Sequence, residues 1–416
     1  MKSSFYNLAS GTKFLFVEDK DSPSVEVSVY FATGATNDST ALSGTAHFLE
    51  HLNFQGTVRR PQNIGIVMEI ENLGGHFDAF TAQEYTGYSI KSPSGKLIQN
   101  VDVLFDLIQN SVFRDEEVKK EADVISEEIK MYEDMPSEKA GDVLQQALFP
   151  NHPLGRNIAG SEQTVKSIIR DDLINYRNDF YAQDNILVSV AGKFKTSDIK
   201  QILIDKIQAF PLIAIKSKNQ GVKKQGRKVI NTRKDIQQTN IAIGGYGLPR
   251  DNKIAYINKL GNVLLSGGMG SMLFQELREK LRLVYYVQAS HQSYTNYGRF
   301  QVDLGTDCNK IDQALDRLFS TLQEFIDGKF TDVEFERAKN YLKGLLITQV
   351  ETSMDIASWN ALKLLLNDHV EFETKEDVIA KIEGISKSMM LDTWKRIIHV
   401  EDLIISNVGP RDCTLL

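Results

Sequence analysis

Two histidines and a glutamate in one short segment form the pattern that points most directly to chemistry. The segment is His47-Phe-Leu-Glu50-His51, in a chain that contains only 7 histidines. Residues four apart on an α-helix lie on one face, so a helix here would direct His47 and His51 toward the same cation. Glu50 would then stand beside the metal without coordinating it, where a general base takes a proton from water. The spacing predicts a zinc site with hydrolytic chemistry.

A zinc site needs at least one more protein ligand, and the acidic stretch 121–132 offers candidates. If this stretch is helical, Glu121, Ile125 and Glu128 share a partly apolar stripe that faces the interior. Glu127 falls instead on a charged face with lysines. This register favours Glu128 as the third metal ligand and Glu121 as the acceptor for the second ring nitrogen of a ligand histidine. Solvated acids paired with neighbouring lysines are the alternative.

Composition excludes several other classes of protein. The chain has 416 residues, of which 42% are hydrophobic and 25% are charged, as in ordinary globular proteins. A net charge of -7 argues against a nucleic-acid partner. We find no apolar run of the roughly 18 residues that a membrane helix needs, and no apolar signal-peptide block, so we expect a cytoplasmic protein without a membrane partner. Cys308 and Cys413 are too few for a thiolate site, which leaves metal binding to histidines and carboxylates.

The elements that must position these residues occur twice along the chain. The matching segments are 25–31 and 239–244, 85–90 and 298–304, and 97–112 and 311–326. This repeat predicts two homologous α+β domains, 1–212 and 235–416, each with a largely antiparallel sheet covered by helices. Residues 213–234 are rich in lysine and arginine and contain no acid, which is typical of a solvated linker. Binding of an acidic partner by this basic run is the alternative.

The motif and its surroundings resemble a known family. The order His-x-x-Glu-His within 44–57, the later Glu128, the segment 74–88 and the two similar halves are similar to the inverzincins: pitrilysin, insulin-degrading enzyme and mitochondrial processing peptidase. The resemblance implies a clamshell chamber of which this chain forms half. It makes Glu50 the general base and Glu121 the carboxylate behind the site, with these residues as zinc ligands: His47, His51 and Glu128. Since the second half lacks the motif, one zinc per chain is expected.

The resemblance also draws attention to residues that spacing alone does not single out. Arg278 and Tyr285, in the second half, match residues that contact the bound peptide near the cleaved carbonyl group. They share a helix face only if the helix continues to Tyr285; otherwise the tyrosine lies on the strand that follows. The family pairs substrate with an open sheet edge. The corresponding residues here are Asp78, where the family usually has Asn, and Ala79, Phe80 and Thr81.

The function implied by the resemblance is that of a zinc endopeptidase. It would hydrolyse peptides or unfolded segments in a closed chamber formed by a homodimer, with a heterodimer as the second alternative. A catalytically silent scaffold or partner subunit is the competing hypothesis from another class. Such subunits usually lose part of the metal set, whereas the set in this sequence is complete.

Overall fold

The structure is a computed structural model that describes residues 1–215, 221–367 and 371–413. The strands are β1 (Lys2–Asn7), β2 (Lys13–Glu18), β3 (Ser24–Phe31), β4 (His76–Thr81), β5 (Thr86–Pro93), β6 (Ile186–Gly192), β7 (Val229–Arg233), β8 (Gln238–Gly247), β9 (Val284–Ser293), β10 (Gly298–Asp307) and β11 (Ile404–Gly409). The helices are α1 (Thr45–Leu52), α2 (Asn63–Asn72), α3 (Leu97–Asn110), α4 (Asp115–Asp134), α5 (Pro136–Leu148), α6 (Glu162–Ser167), α7 (Arg170–Phe180), α8 (Thr196–Ile207), α9 (Ala255–Ser266), α10 (Ile311–Ile326), α11 (Asp332–Gln349), α12 (Ser353–Leu365), α13 (Lys375–Glu383) and α14 (Lys387–Trp394). None of these helices combines the length and the apolar character that crossing a bilayer demands.

The chain divides into two units, each built around its own sheet. The first unit comprises the described residues within Met1–Ile129, Arg156–Lys218 and Val350–Phe372. The second comprises those within Lys130–Gly155, Asn219–Gln349 and Glu373–Leu416. Both units combine a sheet with packed helices, which confirms the predicted α+β fold class.

The sheet of the first unit has the strand order β1-β2-β6-β3-β5-β4. The β2–β6 pair is parallel, and the other neighbouring strands are antiparallel. Strand β4 lies at one end of this order, and β5 is its neighbour in the described sheet. The backbone groups on the outer side of β4 are therefore available to an added strand.

The two faces of this sheet bury different side chains because successive residues of a strand point to opposite sides. Phe14 and Phe16 of β2 lie in a core with the apolar residues of α1 and α3. Leu15 and Val17, which alternate with these two residues along β2, lie in a separate core with apolar residues of α12. The face that carries Phe14 and Phe16 is thus the one against which the helix of the histidine pair packs.

The sheet of the second unit has the strand order β7-β11-β8-β10-β9. Strand β7 pairs with β11 in parallel, and the remaining pairs are antiparallel. Helix α5 packs on this sheet, with Leu144 and Leu148 in one apolar cluster with Ala242 and Ile404. The second unit therefore repeats the sheet-and-helix plan that the sequence predicts.

Two helices belong to a different unit from the one that their position in the sequence predicts. Helix α5 lies within 1–212 but belongs to the second unit, and α12 lies within 235–416 but belongs to the first. The division proposed from the sequence does not contain this exchange. A repeated order of elements shows which helices exist, but it does not show the sheet on which each one packs.

The structure corrects the linker prediction for 213–234. Val229–Arg233 form β7, whose residues pair with those of β11 from Ile405 to Gly409. The strand itself reads Val-Ile-Asn-Thr-Arg and contains one basic residue, so the linker-like composition comes from the lysines and arginines that flank it. Lys216 and Lys218 of the basic run lie outside the described residues.

We predict that Gly261→Ala destabilises the chain, because a Cβ atom at Gly261 of α9 would lie 1.9 Å from Nε1 of the buried Trp394. Overpacking of this kind costs about 1–3 kcal/mol, which urea unfolding followed by circular dichroism will measure. Gly344→Ala is the matched control, since Gly344 of α11 has no atom within 4 Å of the added carbon. That variant should gain about 0.5–1 kcal/mol in helix stability. Equal unfolding midpoints for the two variants would contradict the packing described.

Candidate metal centre

Helix α1 presents the histidine pair along one edge. Phe48, Leu49 and Leu52 are buried in the core of the first unit. The opposite edge of the same helix is polar, and it places the rings of His47 and His51 with their centroids 4.5 Å apart. The predicted helix and the predicted shared face of the two histidines are both present.

The N-terminal end of α1 is held by a residue that the sequence analysis does not identify. Asp38 is 5% exposed, and its carboxylate accepts hydrogen bonds from the backbone N–H of Gly44 at 2.7 Å and of Ala46 at 3.1 Å. Burial raises the pKa of Asp38 to about 7, although these N–H donors act in the opposite direction. Gly44 has φ +100°, and a Cβ atom there would lie 2.6 Å from the carbonyl oxygen of Ala159. The chain therefore enters α1 along a tightly restricted path.

Helix α4 brings a carboxylate to the two imidazoles. Glu128 Oε2 lies 3.8 Å from His47 Nε2 and 3.5 Å from His51 Nε2. Each of the three side chains offers one ligand atom, and these atoms lie within 4.8 Å of one another. Among the described residues, this is the group that could hold a metal ion. Zinc bonds of about 2.0–2.2 Å in a tetrahedral site separate neighbouring ligand atoms by roughly 3.3–3.6 Å. The donor set therefore fits zinc.

Glu121 selects the ring nitrogen of His51 that faces this cluster. Its Oε1 lies 2.8 Å from His51 Nδ1, so Nδ1 carries the proton and Nε2 stays available as a metal donor. Burial lowers the pKa of His51, but the Glu121 hydrogen bond and the neighbouring carboxylates outweigh it and raise the pKa overall. The structure thus places Glu121 in contact with His51, and its role behind a metal site stays a prediction.

His47 is held in the form that binds metals. Burial, with a smaller contribution from the charge of His51, lowers its pKa to about 3, so the imidazole is neutral at physiological pH. The salt bridges that the structure describes for Glu121 and Glu128 are with histidines and not with lysine or arginine. Glu128, which has no described lysine or arginine partner, and the neutral imidazole of His47 are donors suited to a bound cation.

Glu50 lies beside the cluster and is linked to the edge strand. The hydroxyl of Thr81, the last residue of β4, donates to Glu50 Oε2 at 3.1 Å. Burial raises the pKa of Glu50, opposed by the charge of His51 and by the Thr81 hydrogen bond. The charge of Asp78 also raises this pKa, so this carboxylate lies close enough to influence Glu50. A base with a raised pKa is better matched to neutral pH.

The four residues predicted to pair with substrate alternate along β4. Asp78 and Phe80 are exposed, whereas Ala79 and Thr81 are partly buried. The ring of Phe80 lies near those of Tyr30 and Tyr85. Their alternation and the open side of β4 agree with a strand-pairing surface, and their contact with a substrate stays a prediction.

Arg278 and Tyr285 belong to the second unit. Arg278 is exposed on the π-helical segment Phe274–Lys280, with its guanidinium 4.9 Å from the ring centroid of Phe274. Tyr285 is the second residue of β9 and is 51% exposed. Of the two alternatives for this tyrosine, the strand is therefore the correct one. The role of both residues in substrate contact stays a prediction.

Comparison with known proteins identifies the family. Residues 13–162 match the model described as insulinase, peptidase family M16, and residues 167–342 match the model described as peptidase M16 inactive domain. An uncharacterised zinc protease of Bacillus subtilis is 31% identical over 97% of this chain and 98% of its own length. A protein of Arabidopsis thaliana named as a probable mitochondrial-processing peptidase subunit beta is 28% identical over 97% of this chain and 77% of its own length. The chain belongs to peptidase family M16, which confirms the resemblance drawn from the motif.

Solved structures agree with this fold. A Pseudomonas fluorescens structure described as a peptidase M16 inactive domain superposes with a TM-score of 0.92 at 21% identity, covering 99% of this chain and 98% of that one. A protease from Helicobacter pylori superposes with a TM-score of 0.87 at 19% identity, covering 98% of this chain and 99% of that one. At these identities the likeness supports the fold alone.

We predict that Glu128→Gln lowers zinc affinity by at least about 100-fold, since it replaces a charged oxygen donor by a weak neutral one. Glu127→Gln is the matched control because Glu127 is the adjacent residue of α4 and lies outside the cluster. Competition with a chromophoric chelator will measure both affinities. Equal losses in the two variants would show that Glu128 has no specific place in the metal site.

Proposed function

We propose that the chain is a zinc-dependent endopeptidase with one zinc held by His47, His51 and Glu128. The observation that carries this proposal is the convergence of two imidazoles and a carboxylate beside Glu50. Support comes from the relatives named as zinc proteases and from the family to which the chain belongs. The family model for the second half is described as an inactive domain, in agreement with a single metal site.

The chemistry of the site follows from the positions of its side chains. A zinc ion bound there would act as a Lewis acid and would lower the pKa of a water molecule toward about 7. Glu50 accepts the proton of the attacking water on its carboxylate and later donates it to the amine that leaves. The hydroxyl of Thr81 orients this carboxylate through its bond to Oε2. Glu50 is thereby both the base and the acid of the reaction.

The substrate is held by the outer edge of β4 in this proposal. A peptide in extended form pairs with residues 78–81 of β4 and adds a strand to this edge of the sheet. This places one of its carbonyl groups near Glu50. Arg278 and Tyr285 then donate hydrogen bonds to the peptide near the reacting carbonyl group. Strand pairing uses the backbone N–H and C=O groups of an extended segment. This mode of binding therefore favours extended peptides and unfolded segments over folded proteins, whose backbone groups are already paired.

We further propose that two chains form a closed chamber as a homodimer. The relative named as a subunit beta supports a heterodimer as the second candidate, in which a homologous chain completes the enzyme. A silent scaffold remains the competing function. Turnover by the purified chain alone separates the homodimeric enzyme from the other two.

We expect Glu50→Gln to keep the zinc content of the native chain and to lower turnover by about 10²–10⁴-fold, because the amide cannot accept the proton. Zinc content will be measured by atomic emission, and cleavage of a mixed peptide library by mass spectrometry. Glu127→Gln serves again as the control and should cleave like the native chain. Undiminished cleavage by Glu50→Gln would rule out Glu50 as the base. A zinc-loaded native chain without turnover would favour the partner subunit or the scaffold.

We expect Tyr285→Phe to lower kcat by about 10²-fold with little change in KM, because it removes one donor to the developing oxyanion. Tyr286→Phe is the matched control, since Tyr286 is the adjacent residue of β9 and its hydroxyl already donates to Asn240 Oδ1 at 2.9 Å. Steady-state kinetics on one peptide found in the library will compare them. Similar kcat values for both variants would contradict the role of Tyr285.

A further inference from the structure

We infer that Gln55 is a positioning residue of the metal centre and acts on His51 through Glu121. The inference rests on the proposed zinc site and adds a residue to it. Gln55 Nε2 donates to Glu121 Oε2 at 2.8 Å, while Glu121 Oε1 accepts from His51 Nδ1 at 2.8 Å. Both oxygens of Glu121 therefore have a donor, and a continuous chain of hydrogen bonds leads from Gln55 to a metal-facing imidazole.

The orientation of the Gln55 amide follows from the chemistry of its partner. An ionised carboxylate only accepts hydrogen bonds, so the group that faces Glu121 must be the NH₂ and not the carbonyl oxygen. With one oxygen anchored by His51 alone, the carboxylate could still rotate about its last side-chain torsion. The second bond from Gln55 removes that freedom and keeps Oε1 directed at Nδ1.

Gln55 itself is held in place on both sides. The turn after α1 continues through a bond from the backbone N–H of Gln55 to the carbonyl oxygen of Leu52 at 3.1 Å, which keeps Gln55 on the side of His51, four residues earlier. Before it, Asn53 Nδ2 donates to the buried Tyr88 hydroxyl at 2.9 Å. After it, Thr57 Oγ1 donates to Asp106 Oδ2 at 2.7 Å. The amide thus projects from a short segment with fixed ends.

The neutrality of Gln55 matters as much as its geometry. A lysine or arginine in this place would pair with Glu121 and take up part of its charge. The glutamine amide orients the carboxylate but leaves its full negative charge to polarise the Nδ1–H bond of His51. A more polarised imidazole is a stronger donor at Nε2, which is how residues behind metal ligands raise metal affinity.

The test is zinc affinity in a double-mutant cycle on the full chain. Glu121→Ala should weaken zinc binding by about 10–100-fold, and Gln55→Met, which keeps the length but removes the donor, by about 3- to 10-fold because Glu121 still contacts His51. In the Glu121→Ala background, Gln55→Met should have no further effect, since it has lost the residue through which it acts. Competition with a chelator gives all four affinities.

Gln109→Met is the matched control, because Gln109 Nε2 also makes one hydrogen bond in the first unit, to the carbonyl oxygen of Lys206 at 2.7 Å, away from the metal cluster. It should leave zinc affinity unchanged. The His51 Nδ1–H resonance of ¹⁵N-histidine-labelled protein should shift or broaden in Gln55→Met and not in Gln109→Met. This signal separates positioning of His51 from a general loss of stability.

The outcomes distinguish this inference from the proposed function. Equal zinc affinity in the native chain and in Gln55→Met, or an undiminished effect of Gln55→Met in the Glu121→Ala background, would overturn the inference whatever the peptidase activity. A native chain that binds zinc with the expected pattern of variants but cleaves no peptide would support the inference while the proposed function fails. A native chain that binds no zinc would overturn both.

Discussion

The burial of one apolar side of α1 is the constraint on which the site depends. Phe48, Leu49 and Leu52 are each at most 1% exposed, and burial of three such side chains stabilises the fold by roughly 5 kcal/mol or more. A helix of eight residues is not stable by itself in water. Its orientation is therefore set by this packing, and the polar edge places His47 and His51 against Glu121 and Glu128 of α4.

The apolar core also sustains an arrangement of charges that is unfavourable without a cation. Glu50, Glu121 and Glu128 surround the two histidines, and the charge of Glu128 contributes to the raised pKa of Glu50. Like charges held this close repel each other. The free energy that holds them together comes from the packing of α1 and α4 against the sheet, so the site is organised before any ligand is present. A preorganised donor set loses little conformational entropy on binding.

Residues that depend on local register could be predicted from the sequence, and residues that depend on distant contacts could not. The 3.6-residue period places His51 and Glu128 on the correct faces of their helices without any tertiary information. Asp38 stabilises α1 from outside the helix, several residues before its start, so it lacks the usual position of a helix cap. The role of Gln55 depends on its hydrogen bond to the carboxylate of Glu121, which lies 66 positions away in the sequence. Strand β7 was missed because its five residues lie within a run of lysines and arginines whose composition is typical of a linker.

The exchange of α5 and α12 has a consequence for the order in which the chain is made. The apolar face of the first sheet with Leu15 and Val17 is covered by α12, which leaves the ribosome long after β6, the last strand of that sheet. Until then this face is exposed to solvent on the nascent chain. An N-terminal domain commonly folds while the next is still being translated, but the first unit of this protein becomes complete only after α12 has been synthesised. A product truncated before α12 would carry an uncovered sheet face.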